Sequence, residues 1–88
     1  MEPRLKRMAM RSWRRGTKEM DLILGPYADV HLVQMDEAGL VAYDALLDEA
    51  DTDLLPWIMG QKAAPVVHAV LIAQIGHYAR TRLGRDFP

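Results

Sequence analysis

Apolar side chains recur along this chain at spacings of three and four, and nowhere do they alternate with polar ones as a half-buried strand requires. The pattern predicts a first helix over residues 3–15, in which Pro3 suits an early helical position and Leu5, Met8, Ala9 and Ser12 share one face. From Thr17 onward Met20, Ile23, Leu24, Tyr27 and then Val30 or His31 mark a second helix running to about Val33. Gly25-Pro26 falls inside it and predicts a kink or short break, because proline lacks a backbone donor and crowds the preceding turn. Asp36 can cap a third helix over residues 37–48, with Leu40, Tyr43, Leu46 and Leu47 inward and Asp44 and Asp48 outward. Asp51 or Thr52 then caps a short helix from Asp53 to Met59, with Pro56 in its first turn and Gly60 as its stop. Pro65 opens the last helix, residues 65–83. Its inward face reads as Val67, Val70, Leu71, Gln74, Ile75 and Tyr78, widened by Val66, Ala69 and Ala73. Gly84 ends this helix, Arg80, Arg82 and Arg85 suit its C-terminal dipole, and Asp86 to Pro88 are expected to fray. Short connections between such segments give an all-α, five-helix bundle, a single small domain over residues 1–88.

Composition narrows the chemistry. Eighty-eight residues, half of them hydrophobic, bury only about 60 to 65 % of the surface their unfolded chain exposes, so the core is thin. The chain has no cysteine, which removes disulfides, thiolate metal sites and thiol nucleophiles. No apolar run reaches the ~20 residues of a membrane span, and no leader pattern precedes the first helix, so the expected setting is soluble and intracellular.

A net charge of −1 conceals strong segregation. Residues 1–18 carry +6, residues 19–60 carry −10 with no lysine or arginine, and residues 61–88 carry +3. The ends can pair with the middle, or the divided field can steer a protein partner. Arg4, Arg7, Arg11, Arg14 and Lys18 form a cationic stripe. Trp13 is the only aromatic near it, which argues against nucleic acid or lipid and for a solvated face or one side of a protein interface.

Candidate catalytic chemistry is sparse. His31, His68 and His77 offer no pair at three- or four-residue spacing, so they do not make a zinc site. Glu49, Asp51 and Asp53 alternate like the start of a calcium loop, but Leu54 and Gly60 stand where that loop needs glycine and glutamate. The six glycines are scattered singly, so nothing resembles a phosphate-cradling turn, and the one serine, Ser12, has no neighbouring base. Trp57 reads as the anchor of its short helix.

What remains is Arg14-Arg15-Gly16-Thr17-Lys18-Glu19, where the basic segment meets the acidic one. Gly16 can serve as a helix N-cap with Glu19 reaching back to the free amides. Alternatively, Arg15, Gly16 and Glu19 form an exposed patch with bare backbone between opposite charges.

The run Arg14 to Asp21 resembles the arginine-glycine-x-x-glutamate (RGxxE) signature of the small succinate dehydrogenase assembly factors, or flavinators. Leu46-Leu47, Asp51-Thr52-Asp53-Leu54 and Trp57-Ile58-Met59-Gly60 are similar to that family's second signature at matching positions. The resemblance covers residues 11 to about 60 and implies a five-helix bundle. It implies a non-enzymatic factor that binds the flavoprotein subunit of succinate dehydrogenase, or of fumarate reductase, and promotes covalent attachment of FAD to a histidine of that subunit. The FAD then belongs to the partner, and this chain needs no catalytic residue, cofactor site or metal of its own. By resemblance Arg15, Gly16 and Glu19 form the partner contact, flanked by Arg11, Arg14 and Asp21, with Arg15 donating to the partner and Glu19 accepting from it. The expected state is a free monomer in the bacterial cytoplasm. The alternative drawn from the cationic helix is a nucleic-acid-binding or antitoxin-like regulator, recognisable by affinity that falls steeply with salt.

Overall fold

Pro3 opens the first helix as expected, in its first turn, and the Glu2 carboxylate caps it by accepting the Arg4 amide. The computed structural model describes residues 2–84. It holds α1 (Pro3–Trp13), α2 (Lys18–His31), a 3-10 turn (Leu32–Gln34), α3 (Glu37–Leu47), α4 (Asp51–Ile58) and α5 (Val66–Leu83), with no strand among the described residues. This is the expected all-α, five-helix bundle. Arg85 and the expected frayed end, Asp86 to Pro88, lie outside the described residues.

Helices α1 and α2 pack against each other, with Met8 and Ala9 of α1 and Met20, Ile23, Leu24 and Tyr27 of α2 buried. Leu40, Tyr43, Leu46 and Leu47 of α3 complete the centre as their spacing predicts. The Asp36 carboxylate caps α3 by accepting the Gly39 amide at 2.8 Å. Inside this core the Ser12 hydroxyl donates to the Met8 carbonyl and shares a 2.7 Å hydrogen bond with the Tyr43 hydroxyl. Burial pushes the Tyr43 phenol up to about 12, with the Ser12 contact opposing it. Tyr27 stacks on His31 with ring centroids 4.2 Å apart, and Tyr78 of α5 meets His31 edge-on at 4.9 Å.

Several expectations need correction. Helix α1 stops at Trp13, and the N-cap of α2 is Thr17, whose hydroxyl accepts the Met20 amide, so Gly16 lies in the loop before the cap. Of the kink or short break expected at Gly25-Pro26, the break does not occur, since α2 continues as helix through both residues. Gly25 is used for close packing: a Cβ there would stand 2.3 Å from the Trp13 ring, which covers that backbone while its indole N–H donates to Asp29. Pro26 leaves the Leu22 carbonyl without its helical donor, and Arg82 of α5 supplies one at 3.3 Å.

Helix α4 begins at Asp51, two residues earlier than expected, after Ala50, which gives no side-chain cap. Pro56 is therefore past the first turn. Helix α5 has the expected extent, but its buried face is His68, Ile72, Ile75, Gly76 and Ala79. Val66, Val67 and Val70 are 94, 76 and 74 % exposed. Apolar residues lie all round α5, so its periodicity sets no phase and packing decides it.

Candidate functional site

The loop from Arg14 to Thr17 is held by one side chain. Arg15 donates from Nε to Asp51 Oδ1 at 2.8 Å, from Nη1 to the Leu47 carbonyl and from Nη2 to the Glu49 carbonyl, both at 2.7 Å. A planar guanidinium suits this fork of three acceptors. The last carbonyls of a helix lack internal partners, so the end of α3 supplies ready acceptors. The Arg15 amide also donates to Asp21 Oδ1 at 2.6 Å, in the first turn of α2, where negative charge suits the dipole. The Arg15 and Asp51 side chains are only 10 and 18 % exposed. This clamp closes the α1–α2 loop onto the corner between α3 and α4.

Gly16 follows at once with φ +106°, a torsion that L side chains rarely adopt, and no atom lies within 4 Å of where a Cβ would stand. Glu19, one turn further, is exposed and makes no ion pair or side-chain hydrogen bond among the described residues. Beside it opens a cleft of about 280 Å³ between α2 and α4, floored by Met20, Leu55 and Pro56 and edged by Thr17, Glu19, Asp51 and Thr52. The surface therefore offers a bare main chain, an unengaged carboxylate and an apolar hollow within one turn of helix.

The six residues expected at a partner contact divide into two sets. Gly16, Glu19 and Arg14 face solvent. Arg15 and Asp21 are engaged inside the fold, and exposed Arg11 pairs with Asp44 at 2.7 Å and Asp48 at 2.8 Å. Arg15, expected as a donor to a partner, already places one N–H from each of Nε, Nη1 and Nη2 on an internal acceptor, three of the five that a guanidinium carries. Neither Asp51 nor Thr52, the two expected caps, caps α4, and Asp51 is the acid that holds Arg15. Its partner lies 36 positions away, a separation that helical spacing does not report.

Charge segregation is answered in part within the molecule. Besides Arg11, Arg4 reaches both Glu37 oxygens at 2.8 and 3.0 Å. That contact holds the Glu37 carboxyl below its usual range and raises Arg4. Two of the five stripe cations are thus neutralised by α3, which weakens the nucleic-acid reading.

A larger cleft, about 590 Å³, lies elsewhere, between α2 and α5, and is lined by Tyr27, His31, Gln74, His77 and Tyr78 among others. No cluster of three or more potential metal-ligating side chains occurs among the described residues. The loop surface supplies recognition groups and no nucleophile paired with a base.

Residues 6–79 match the protein family described as flavinator of succinate dehydrogenase. The chain is 42 % identical over 80 residues to succinate dehydrogenase assembly factor 2, mitochondrial, of Schizosaccharomyces japonicus, a match covering 91 % of this chain and 49 % of that one. The protein of the same name from Schizosaccharomyces pombe is 39 % identical over 61 residues, covering 69 % of this chain and 44 % of its own. The one from Penicillium rubens is 45 % identical over 51 residues, covering 58 and 16 %. The chain thus spans about half the length, or less, of these curated relatives. No solved structure matches it. The expectation of a bacterial cytoplasmic location is overturned, because the relatives are named mitochondrial and come from eukaryotes. That expectation stood on a missing leader pattern, which says nothing about compartment in a chain spanning only part of its relatives.

Proposed function

The chain belongs to the family of succinate dehydrogenase flavinators, and on that premise we propose that it binds the flavoprotein subunit of succinate dehydrogenase and promotes covalent attachment of FAD to that subunit. The related subunit of fumarate reductase is a second partner in this reading. The factor acts as a free monomer and has no catalytic turnover of its own. FAD is the substrate joined to the partner, and the partner's own side chain and the flavin supply the reacting groups. The contribution of this chain is to favour the arrangement in which those groups are aligned, which lowers the barrier without a nucleophile from the helper.

The observation that carries the proposal is the presentation of Gly16 and Glu19 on a loop fixed from behind by Arg15. A loop held by three charge-assisted hydrogen bonds loses little further freedom when it docks, so less binding energy goes into ordering it. Glu19 accepts a hydrogen bond or a cation from the partner, and the absence of a side chain at Gly16 lets the partner's backbone approach.

Co-expression of the flavoprotein subunit with Glu19→Ala is the test, read as flavin fluorescence of that subunit on a denaturing gel. Glu19 is exposed and makes no side-chain hydrogen bond or ion pair among the described residues, so the variant is expected to keep its helical circular dichroism while covalent flavin falls about tenfold or more. Full fluorescence from a partner co-expressed with the folded variant would overturn the assignment.

A further inference from the structure

His68 lies 49 positions beyond Glu19 in sequence and stands outside the contact surface, yet it braces the other side of the corner on which Arg15 closes. It sits in the first turn of α5 with its side chain 5 % exposed, and its Nε2 is 2.8 Å from Glu49 Oε2. Nε2–H donates to this carboxylate in the corresponding neutral tautomer and in the imidazolium alike. Trp57 of α4 covers the imidazole, with ring centroids 6.0 Å apart and the planes tilted by 32°. Helix α5 starts without a side-chain cap and without an acid in its own first turn, so the Glu49 carboxylate also brings it a favourable negative charge.

Glu49 is therefore held at two points that do different things. Its carboxylate is fixed by His68, and its main-chain carbonyl receives Nη2 of Arg15. Residues 48–50 between α3 and α4 have no regular helical structure of their own. Arg15 can meet Leu47, Glu49 and Asp51 together only when this corner keeps one shape, because the guanidinium fork is rigid. We propose that His68 is a positioning residue for partner recognition. By fixing Glu49 it sets the corner onto which Arg15 closes, and through Arg15 it sets how Gly16 and Glu19 meet the flavoprotein subunit. The inference rests on the reading of Gly16 and Glu19 as the contact surface.

The test is calorimetric titration of the full chain and its variants into purified flavoprotein subunit of succinate dehydrogenase. His68→Leu keeps the bulk and removes the hydrogen bond, and is expected to weaken binding about tenfold. Glu49→Ala should weaken it equally, and the double variant by no more than either single one, since both break the same link. His68→Gln can place an amide N–H near the position of Nε2 and should recover affinity to within about threefold of the parent. The Arg15 Nε–H resonance should move in His68→Leu and return in His68→Gln, a response that loss of core packing alone would not give. A folded His68→Leu with the parent's affinity overturns the proposal. If that variant does not fold, Glu49→Ala, altered only at a half-exposed side chain, decides on the same criterion. Glu19→Ala is titrated alongside. Weak binding there with full affinity in His68→Leu sinks this inference alone, whereas parental affinity in Glu19→Ala sinks the contact reading and this inference with it.

Discussion

The corner gripped by Arg15 and the outer face of α5 invert the usual expectation about which side chains are free to meet a partner. At the corner, charged groups are drawn inward: Arg15 and Asp51 are mostly covered, and their hydrogen bonds serve the fold. On α5 the apolar Val66, Val67 and Val70 stand in solvent while a histidine occupies the interior. Residue class does not tell the two surfaces apart; the accounting of donors and acceptors does. A covered charged residue whose hydrogen bonds go to the fold serves the structure, whereas Glu19 is exposed and without a side-chain hydrogen bond or ion pair among the described residues.

The strongest way to break this contrast is Arg15→Ala. It strands a largely covered carboxylate and two carbonyls, so a loss of about 3 kcal/mol is expected. For a domain of this size that corresponds to a melting temperature lower by roughly 12 to 24 °C, measurable by circular dichroism. A variant that melts like the parent would place the clamp among ordinary surface pairs, whose median worth is ~0 to 1 kcal/mol.

The second effect comes from the hydroxyl pair beneath the corner. Tyr43 ionises at about 12 when folded and near 10.0 when unfolded, so the folded state holds its proton more tightly. Stability from this group is complete below pH about 10 and is lost as pH rises towards about 12, by roughly 3 kcal/mol. Denaturant titrations across that window should show the decline, and Tyr43→Phe, which has nothing to ionise, should show a shallower one. Equal declines would mean that the hydroxyl is not sequestered.

The smallest expected effect sharpens the other half of the comparison. Val67→Gln and Val70→Gln replace exposed side chains by a residue with good helix propensity, and each should change stability by no more than about 0.5 kcal/mol. A larger loss in thermal melts would show that the outer face of α5 is covered in solution.

These contrasts also mark where the sequence is informative. Helix α3 was legible in full, because Asp36 caps it and its four inward residues fall on one regular stripe. The number of helices followed from such stripes and from Gly and Pro at their ends. The phase of α5 was not legible, since a helix with apolar residues on all sides rotates to suit its neighbours. Around Pro26 the Trp13 ring lies over Gly25 and Arg82, 60 positions from Leu22, donates to the carbonyl that proline leaves free, both tertiary facts. At the candidate site, Gly16 and Glu19 could be picked out by motif, whereas the inward turn of Arg15 required acceptors from the end of α3 that only the fold brings within reach.

The torsion at Gly16 carries one more consequence. It belongs to the half of backbone space that a mirror-image amino acid occupies without strain, so D-alanine would keep the bend and return the methyl group that L-alanine cannot place there. Shape and nakedness at this position are thus separable properties of the main chain, and a docking protein can sense only the second directly.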